Sequence, residues 1–138
     1  MAIDFGSKRV GIAVTDTMQM IASGLTTVQT KDIMEYLTGY FSKEEVNTIV
    51  VGDPKTLSNR DTDGTIHADN FVKQLKKKFP EKKIERMDER FTSKMAFQTM
   101  IDSGLKKKQR RNKELVDEIS ATIILQSYME FLNRKSSI

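Results

Sequence analysis

The chain has no cysteine and no tryptophan, two prolines and a single histidine in 138 residues. Without cysteine there are neither disulfide staples nor thiolate zinc sites, so folding must rest on a hydrophobic core. At this length a core suffices, because a domain of roughly 150 residues hides about 68–70% of its unfolded surface. A lone histidine, His67, also disfavours an imidazole-built zinc centre. Long apolar runs are missing: none approaches the ~20 residues of a membrane span, and the N-terminal MAIDFGSKR has no apolar signal-peptide core. The expectation is an intracellular, cytoplasmic protein that does not engage a membrane. With no repeat, low-complexity tract or Pro/Gly/Ser-rich linker, residues 1–138 read as one domain.

What the chain has is charge, unevenly distributed. The 23 Lys+Arg and 19 Asp+Glu give a net charge of +4, yet residues 1–72 carry −4 and residues 73–138 carry +8. The positive charge gathers in two runs, Lys76-Lys77-Lys78 through Lys82-Lys83 and Lys106-Lys107-Lys108 through Lys113. The first is equally well explained as a solvated helix face. The second places six basic residues in eight positions with no apolar stripe, which reads as a basic loop suited to a polyanion, nucleic acid above all.

Periodicity supplies the architecture. Ala2–Phe5, Val10–Val14 and a run around Leu25–Val28 read as strands separated by turn signals, and their short connections favour antiparallel pairing. A helix over Asp32–Phe41, capped by Thr30, precedes the continuous β-branched run Thr48–Val51, the mark of a strand covered on both faces. A polar loop over Lys55–Gly64 leads to a helix from Ile66 to Phe79, stopped by Pro80. A strand ending at Met87, a helix over Lys94–Ser103 and a long helix over Lys113–Asn133 complete the chain. The fold class is α/β: a mixed five-stranded sheet, three antiparallel strands then two parallel, with helices on both faces.

Three acidic positions are awkward for folding alone. Asp4 lies in a strand expected to be central, where a carboxylate needs a partner or a cation. Asp88 and Glu89 end a strand at the carboxyl edge, where open α/β sheets bind ligands. Asp117 is the only charge on a helical face otherwise formed by Ala121, Ile124, Tyr128 and Leu132. Each also has a structural explanation: Asp4 closing a turn over Gly6, Asp88 capping a helix or pairing with Arg90, Asp117 as a first-turn acid favoured by the helix dipole. The fold expectation brings the three together, and hard oxygen ligands suit Mg²⁺ or Mn²⁺. Two such ions about 4 Å apart can activate water and stabilise the leaving oxygen in phosphodiester hydrolysis.

Ala2-Ile3-Asp4-Phe5-Gly6-Ser7-Lys8-Arg9-Val10-Gly11, Val50-Val51-Gly52-Asp53-Pro54, Asp63-Gly64-Thr65, Asp88-Glu89-Arg90-Phe91-Thr92-Ser93 and Asp117-Glu118-Ile119-Ser120-Ala121 occur in this order. The ordered set resembles the YqgF (RuvX) family, RuvC-like proteins of the RNase H-like fold described as Holliday junction resolvases and as pre-16S ribosomal RNA nucleases. The resemblance implies a metal-dependent endonuclease with its acidic triad on Asp4, Glu89 and Asp117. It also supplies the choice of Glu89 over Asp88. Asp53 departs from the family's usual apolar residue and adds negative charge near the expected site.

Around that triad, Lys8, Arg9 and Arg90 are candidates to meet substrate phosphates, as are Lys106, Lys107, Lys108, Arg110 and Arg111. The Asp63-Gly64 pair is expected to open a loop that moves on substrate binding. The preferred substrate is structured RNA, with 5′-end processing of pre-16S rRNA in ribosome biogenesis as the implied role. Cleavage of branched DNA as a Holliday junction resolvase is the alternative, and a non-catalytic RNA-binding ribosome assembly factor the rival from another class. Monomer and homodimer both remain open. Actin-like ATP binding through Asp4–Lys8 is disfavoured, since no Walker-type phosphate loop is present.

Overall fold

The computed structural model describes residues 1–18, 21–53, 63–88 and 112–136. Five strands and three α-helices follow in the order β1 (Ala2–Phe5), β2 (Arg9–Thr15), β3 (Ala22–Gln29), α1 (Ile33–Lys43), β4 (Thr48–Asp53), α2 (Asp63–Lys78), β5 (Lys83–Asp88) and α3 (Lys113–Ser136). The strands form one sheet in the order β3-β2-β1-β4-β5. The β1–β2 and β2–β3 pairs are antiparallel, while β1–β4 and β4–β5 are parallel. This is the mixed sheet expected from the sequence, with β1 and its Asp4 in the centre. No described helix is long and apolar enough to cross a membrane. The helix expected over Lys94–Ser103 and the basic run 106–111 lie outside the described residues.

Strand alternation divides the apolar residues between two faces. Ile3, Val10, Ile12, Ile49 and Val51 pack against Ile33 and Leu37 of α1, Phe71 and Leu75 of α2, and Phe79 just beyond it. On the other face the small residues Ala2 and Ala13, with Val50, meet Ala121, Ile124, Leu125 and Tyr128 of α3. The apolar stripe predicted for α3 therefore holds as far as Tyr128; Leu132 is 41% exposed.

Several boundaries differ from expectation for identifiable reasons. β3 begins at Ala22, because it pairs with the full length of β2, passing a register shift between Ile12 and Ala13. Thr30 does not cap α1. Its hydroxyl donates to the Gly6 carbonyl (2.7 Å) and its N–H to the Lys8 carbonyl (3.0 Å), while residues 30–32 form a 3-10 turn. The third strand's end is thus tied to the β1–β2 turn. Asp63 and Gly64, expected in a mobile loop, instead open α2. At α3 the cap is Asn112, whose Oδ1 accepts from the N–H groups of Glu114 (3.1 Å) and Leu115 (3.3 Å), satisfying two of the donors a helix start leaves unpaired.

The seat of α3 on the sheet is set by two glycines. A Cβ at Gly11 would lie well under 3.0 Å from the Asp117 carbonyl oxygen, and one at Gly24 would meet the Glu118 side chain. The Thr27 hydroxyl adds a tether, donating to the Glu114 carbonyl (2.7 Å). Because the Gly11 neighbour is backbone, Gly11→Ala should force α3 away from the sheet and destabilise the fold by about 1–3 kcal/mol, the usual cost of overpacking. Denaturant melts check this, and an unchanged midpoint would contradict it. Asn112→Ala should cost about 1 kcal/mol through the lost cap, measured the same way.

Candidate active site

Asp4 occupies the third position of the central strand and is half-buried. Its cross-strand partner in β2 is Gly11, so the two share a sheet face. That face is the α3 face, since the pair Ala2 and Ala13, two positions along the same register, packs with α3. With no side chain at Gly11, the α3 backbone at Asp117 comes down beside Asp4's pairing partner. Asp117 lies one turn beyond the helix start, and Glu114, not Asp117, is the first-turn acid. The helix-dipole explanation for Asp117 therefore fails. The turn-closing explanation for Asp4 is also unnecessary, because the Gly6 N–H donates to the Arg9 carbonyl (3.0 Å).

Arg9, two residues before Gly11 in β2, lies on the same face. Its Nε donates to Asp117 Oδ2 at 2.8 Å. The side chains are 32% and 23% exposed, so the pair contributes only about 0–1 kcal/mol on the scale of solvent-accessible ion pairs. Its consequence is orientation: the carboxylate of Asp117 is held at the start of β2, next to the β1–β2 turn. Lys8, the neighbouring candidate, is exposed in the turn.

Asp88 is on the other side of the sheet. Met87 packs with the α3-face cluster, so Asp88 shares the opposite face with Arg86 and, in register across β4, with Asp53. This argues against Asp88 as Asp4's companion. Glu89, Arg90, Lys106, Lys107, Lys108, Arg110 and Arg111 lie outside the described residues. Among the described residues, no three His, Cys, Asp or Glu side chains gather as a metal site; the described part of the expected triad is Asp4 and Asp117. Two carboxylates on one face are the hard-oxygen donors that suit Mg²⁺ or Mn²⁺. His67 is exposed on α2, a helix packed on the opposite face.

The negative charge of Asp53 does not point at Asp4. Arg86 offsets it: Nη2 is 3.6 Å from Asp53 Oδ1, Nη1 is 2.5 Å from Asp69 Oδ1 on α2, and Nε and Nη2 each donate at 3.3 Å, to the Val51 and Gly52 carbonyls. Sequence reading misses this residue. The available signal is an arginine at a half-buried strand position beside an acid at the end of the neighbouring strand. The guanidinium binds the carboxyl ends of β4 and β5 to α2, which holds that edge of the sheet in place.

A cavity of about 400 Å³ opens at the other end of the sheet, between the start of β4, the end of β2 and the last turns of α3, with Glu44, Tyr128 and Met129 in its wall. It lies away from the carboxyl edge of β1 and contains neither Asp4 nor Asp117.

Residues 1–131 match the family described as "RuvX: Holliday junction resolvase". The chain is 57% identical over 129 residues to a protein of Christiangramia forsetii, covering 94% of this chain and 96% of that one. It is 58% identical over 129 residues to one from Flavobacterium psychrophilum and 55% identical over 130 residues to one from Bacteroides thetaiotaomicron, each covering 94% of both chains. All three carry the name "Putative pre-16S rRNA nuclease". With nearly the whole chain matched at this identity, the protein belongs to the RuvX family, and its β3-β2-β1-β4-β5 sheet is that of an RNase H-like domain.

Proposed function

We propose that this protein is a metal-dependent endonuclease that hydrolyses phosphodiester bonds in structured nucleic acid, with the precursor of 16S ribosomal RNA as its cytoplasmic substrate. The observation that carries the reading is the placement of Asp4 and Asp117 on one sheet face, brought together by the missing side chain of Gly11. The names of the relatives support ribosomal RNA, and the family description supports a four-way DNA junction as the second substrate.

Asp4, Glu89 and Asp117 would hold Mg²⁺ or Mn²⁺. When bound, such ions activate water for attack and stabilise the leaving oxygen. The protein's own contribution is placement. Asp4 is fixed by its pairing to Gly11 of β2, on a strand whose preceding residues also pair with β4. Asp117 is fixed by the seat of α3 and by Arg9. The preference for Glu89 as the third acid is supported by Asp88 sharing the Arg86 face.

Phosphate recognition falls to the basic side chains around the edge. Lys8 is exposed beside Arg9. Lys113, the last residue of the basic run, begins α3, about 6 Å along the helix axis from Asp117 at 1.5 Å per residue. The run 106–111 immediately precedes in sequence the helix that carries the acid, and it would guide backbone phosphates toward that edge. Arg90 is the corresponding candidate beside Glu89.

The test is cleavage of precursor ribosomal RNA and of a four-way DNA junction, side by side, with Mg²⁺, Mn²⁺ or EDTA. Cleavage of the RNA should require the cation, and Asp4→Asn, Glu89→Gln and Asp117→Asn should each lower the rate by about 10²–10³-fold, the scale of removing one preorganised electrostatic group. Undiminished cleavage in all three variants would refute the triad. Cleavage of the junction alone would assign DNA, and cation-independent binding without cleavage would favour an assembly factor. Neutralising Lys106, Lys107, Lys108, Arg110 and Arg111 should lower the slope of log affinity against log salt by about 0.7–0.9 for each phosphate left without its cationic partner. An unchanged slope would remove that run from the interface.

A further inference from the structure

Arg9 is placed to do more than hold Asp117. Its backbone is fixed: the Arg9 carbonyl closes the turn with Gly6, and the neighbouring Lys8 and Gly6 carbonyls are both held by Thr30. The Asp117 backbone is equally fixed, pressed onto Gly11 in a helix tethered through Thr27 and capped by Asn112. Rearrangement is therefore confined to the two side chains. Among the described residues, the guanidinium's only ion-pair partner is Asp117, reached through Nε alone. The pair is partly solvent-exposed, so opening it exposes little that water cannot satisfy.

A divalent cation on Asp117 and a guanidinium on the same carboxylate are like charges competing for one anion. Released from Asp117, the planar fork of Arg9 matches a phosphate, which accepts two parallel hydrogen bonds from arginine. We infer that Arg9 exchanges between Asp117 and a substrate phosphate, so that cation binding and nucleic-acid binding strengthen one another through this residue. By linkage the effect is reciprocal: nucleic acid that draws Arg9 away raises the cation affinity by the factor by which the cation raises nucleic-acid affinity. Arg9 is on this account a positioning residue for Asp117 in the free protein and a phosphate ligand in the complex.

The inference rests on the nuclease reading for its cation and its substrate, but its test uses equilibrium binding without turnover. The affinity for a fluorescent RNA hairpin is measured in EDTA and with Ca²⁺ for the wild type, Arg9→Gln and Arg9→Lys, and Mn²⁺ affinity is measured separately without RNA. The wild type should bind RNA about fivefold or more tightly with Ca²⁺ than without, the low end of typical coupling. In Arg9→Gln that factor should fall below the wild-type value, to what direct contact of the cation with phosphate supplies, while Mn²⁺ should bind severalfold more tightly than to wild type. Arg9→Lys should keep part of the coupling, since it retains charge without the fork.

Should Arg9→Gln fail to fold, Asp117→Asn carries the test. It frees Arg9 and should bind RNA in EDTA more tightly than wild type, and combining it with Arg9→Lys should remove part of that gain. Equal coupling in wild type and Arg9→Gln, or weaker Mn²⁺ binding in Arg9→Gln, would overturn the inference. If no substrate is cleaved yet the coupling is found, the nuclease reading fails and the exchange of Arg9 stands. Cleavage with unchanged coupling would leave the nuclease reading intact and refute the exchange.

Discussion

The Asp117 carbonyl occupies the space that a side chain at position 11 would fill. That single close approach determines the depth of α3 on the sheet, and with it the position of Asp117 relative to Asp4. Glycine is required there because the neighbour is peptide backbone and cannot rotate away. Small residues at positions 2 and 13 extend the same shallow surface, so that Ala121 and Ile124 can be buried against it. Packing and chemistry thus have one cause on this face: the absence of side chains that lets a helix approach also brings its carboxylate to the edge of the central strand.

The two faces of the sheet divide the charged groups between them. On the α3 face, Arg9 meets Asp117. On the α2 face, Arg86 gathers Asp53, Asp69 and the carbonyls of Val51 and Gly52. Each arginine sits near the carboxyl ends of the parallel strands, Arg9 offsetting Asp117 and Arg86 offsetting Asp53 and Asp69. They differ in reach. Arg86 joins three elements through several bonds, which suits a fixed brace. Among the described residues Arg9 reaches a single carboxylate, which suits a group that changes partners.

Much of this is legible in the sequence, and the failures have physical causes. Strand alternation and helical spacing specify the mixed sheet, because the apolar residues that define those periods are the ones buried in the two clusters. Boundaries set by tertiary contacts are not legible. Nothing local in Thr30 distinguishes a cap from a hydroxyl that bonds Gly6, and the early start of β3 depends on β2 lying beside it. At the candidate site, Asp4 and Asp117 stand out as charges on apolar elements. From sequence Arg9 reads as a phosphate ligand or a solvated turn residue, because a pair separated by 108 residues leaves no local pattern. The choice of Glu89 over Asp88 comes from the family resemblance; the contacts of Met87 and Arg86 show only that Asp88 shares the α2 face.

The halves of the chain count −4 and +8, yet the candidate acids come from both. The sheet gathers Asp4 from the acidic half and Asp117 from the basic half, with Lys113 one turn from the latter. In the proposed reading, basic residues bring phosphate to a small, locally acidic edge. Mn²⁺ binding to folded wild type, Asp4→Asn and Asp117→Asn, followed by electron paramagnetic resonance with thermal melts as the control, tests this placement most directly. Both variants should stay folded, and each should lose Mn²⁺ affinity by at least about tenfold, as removing metal-site groups commonly does. Wild-type affinity in both variants would show that the two carboxylates do not share a cation.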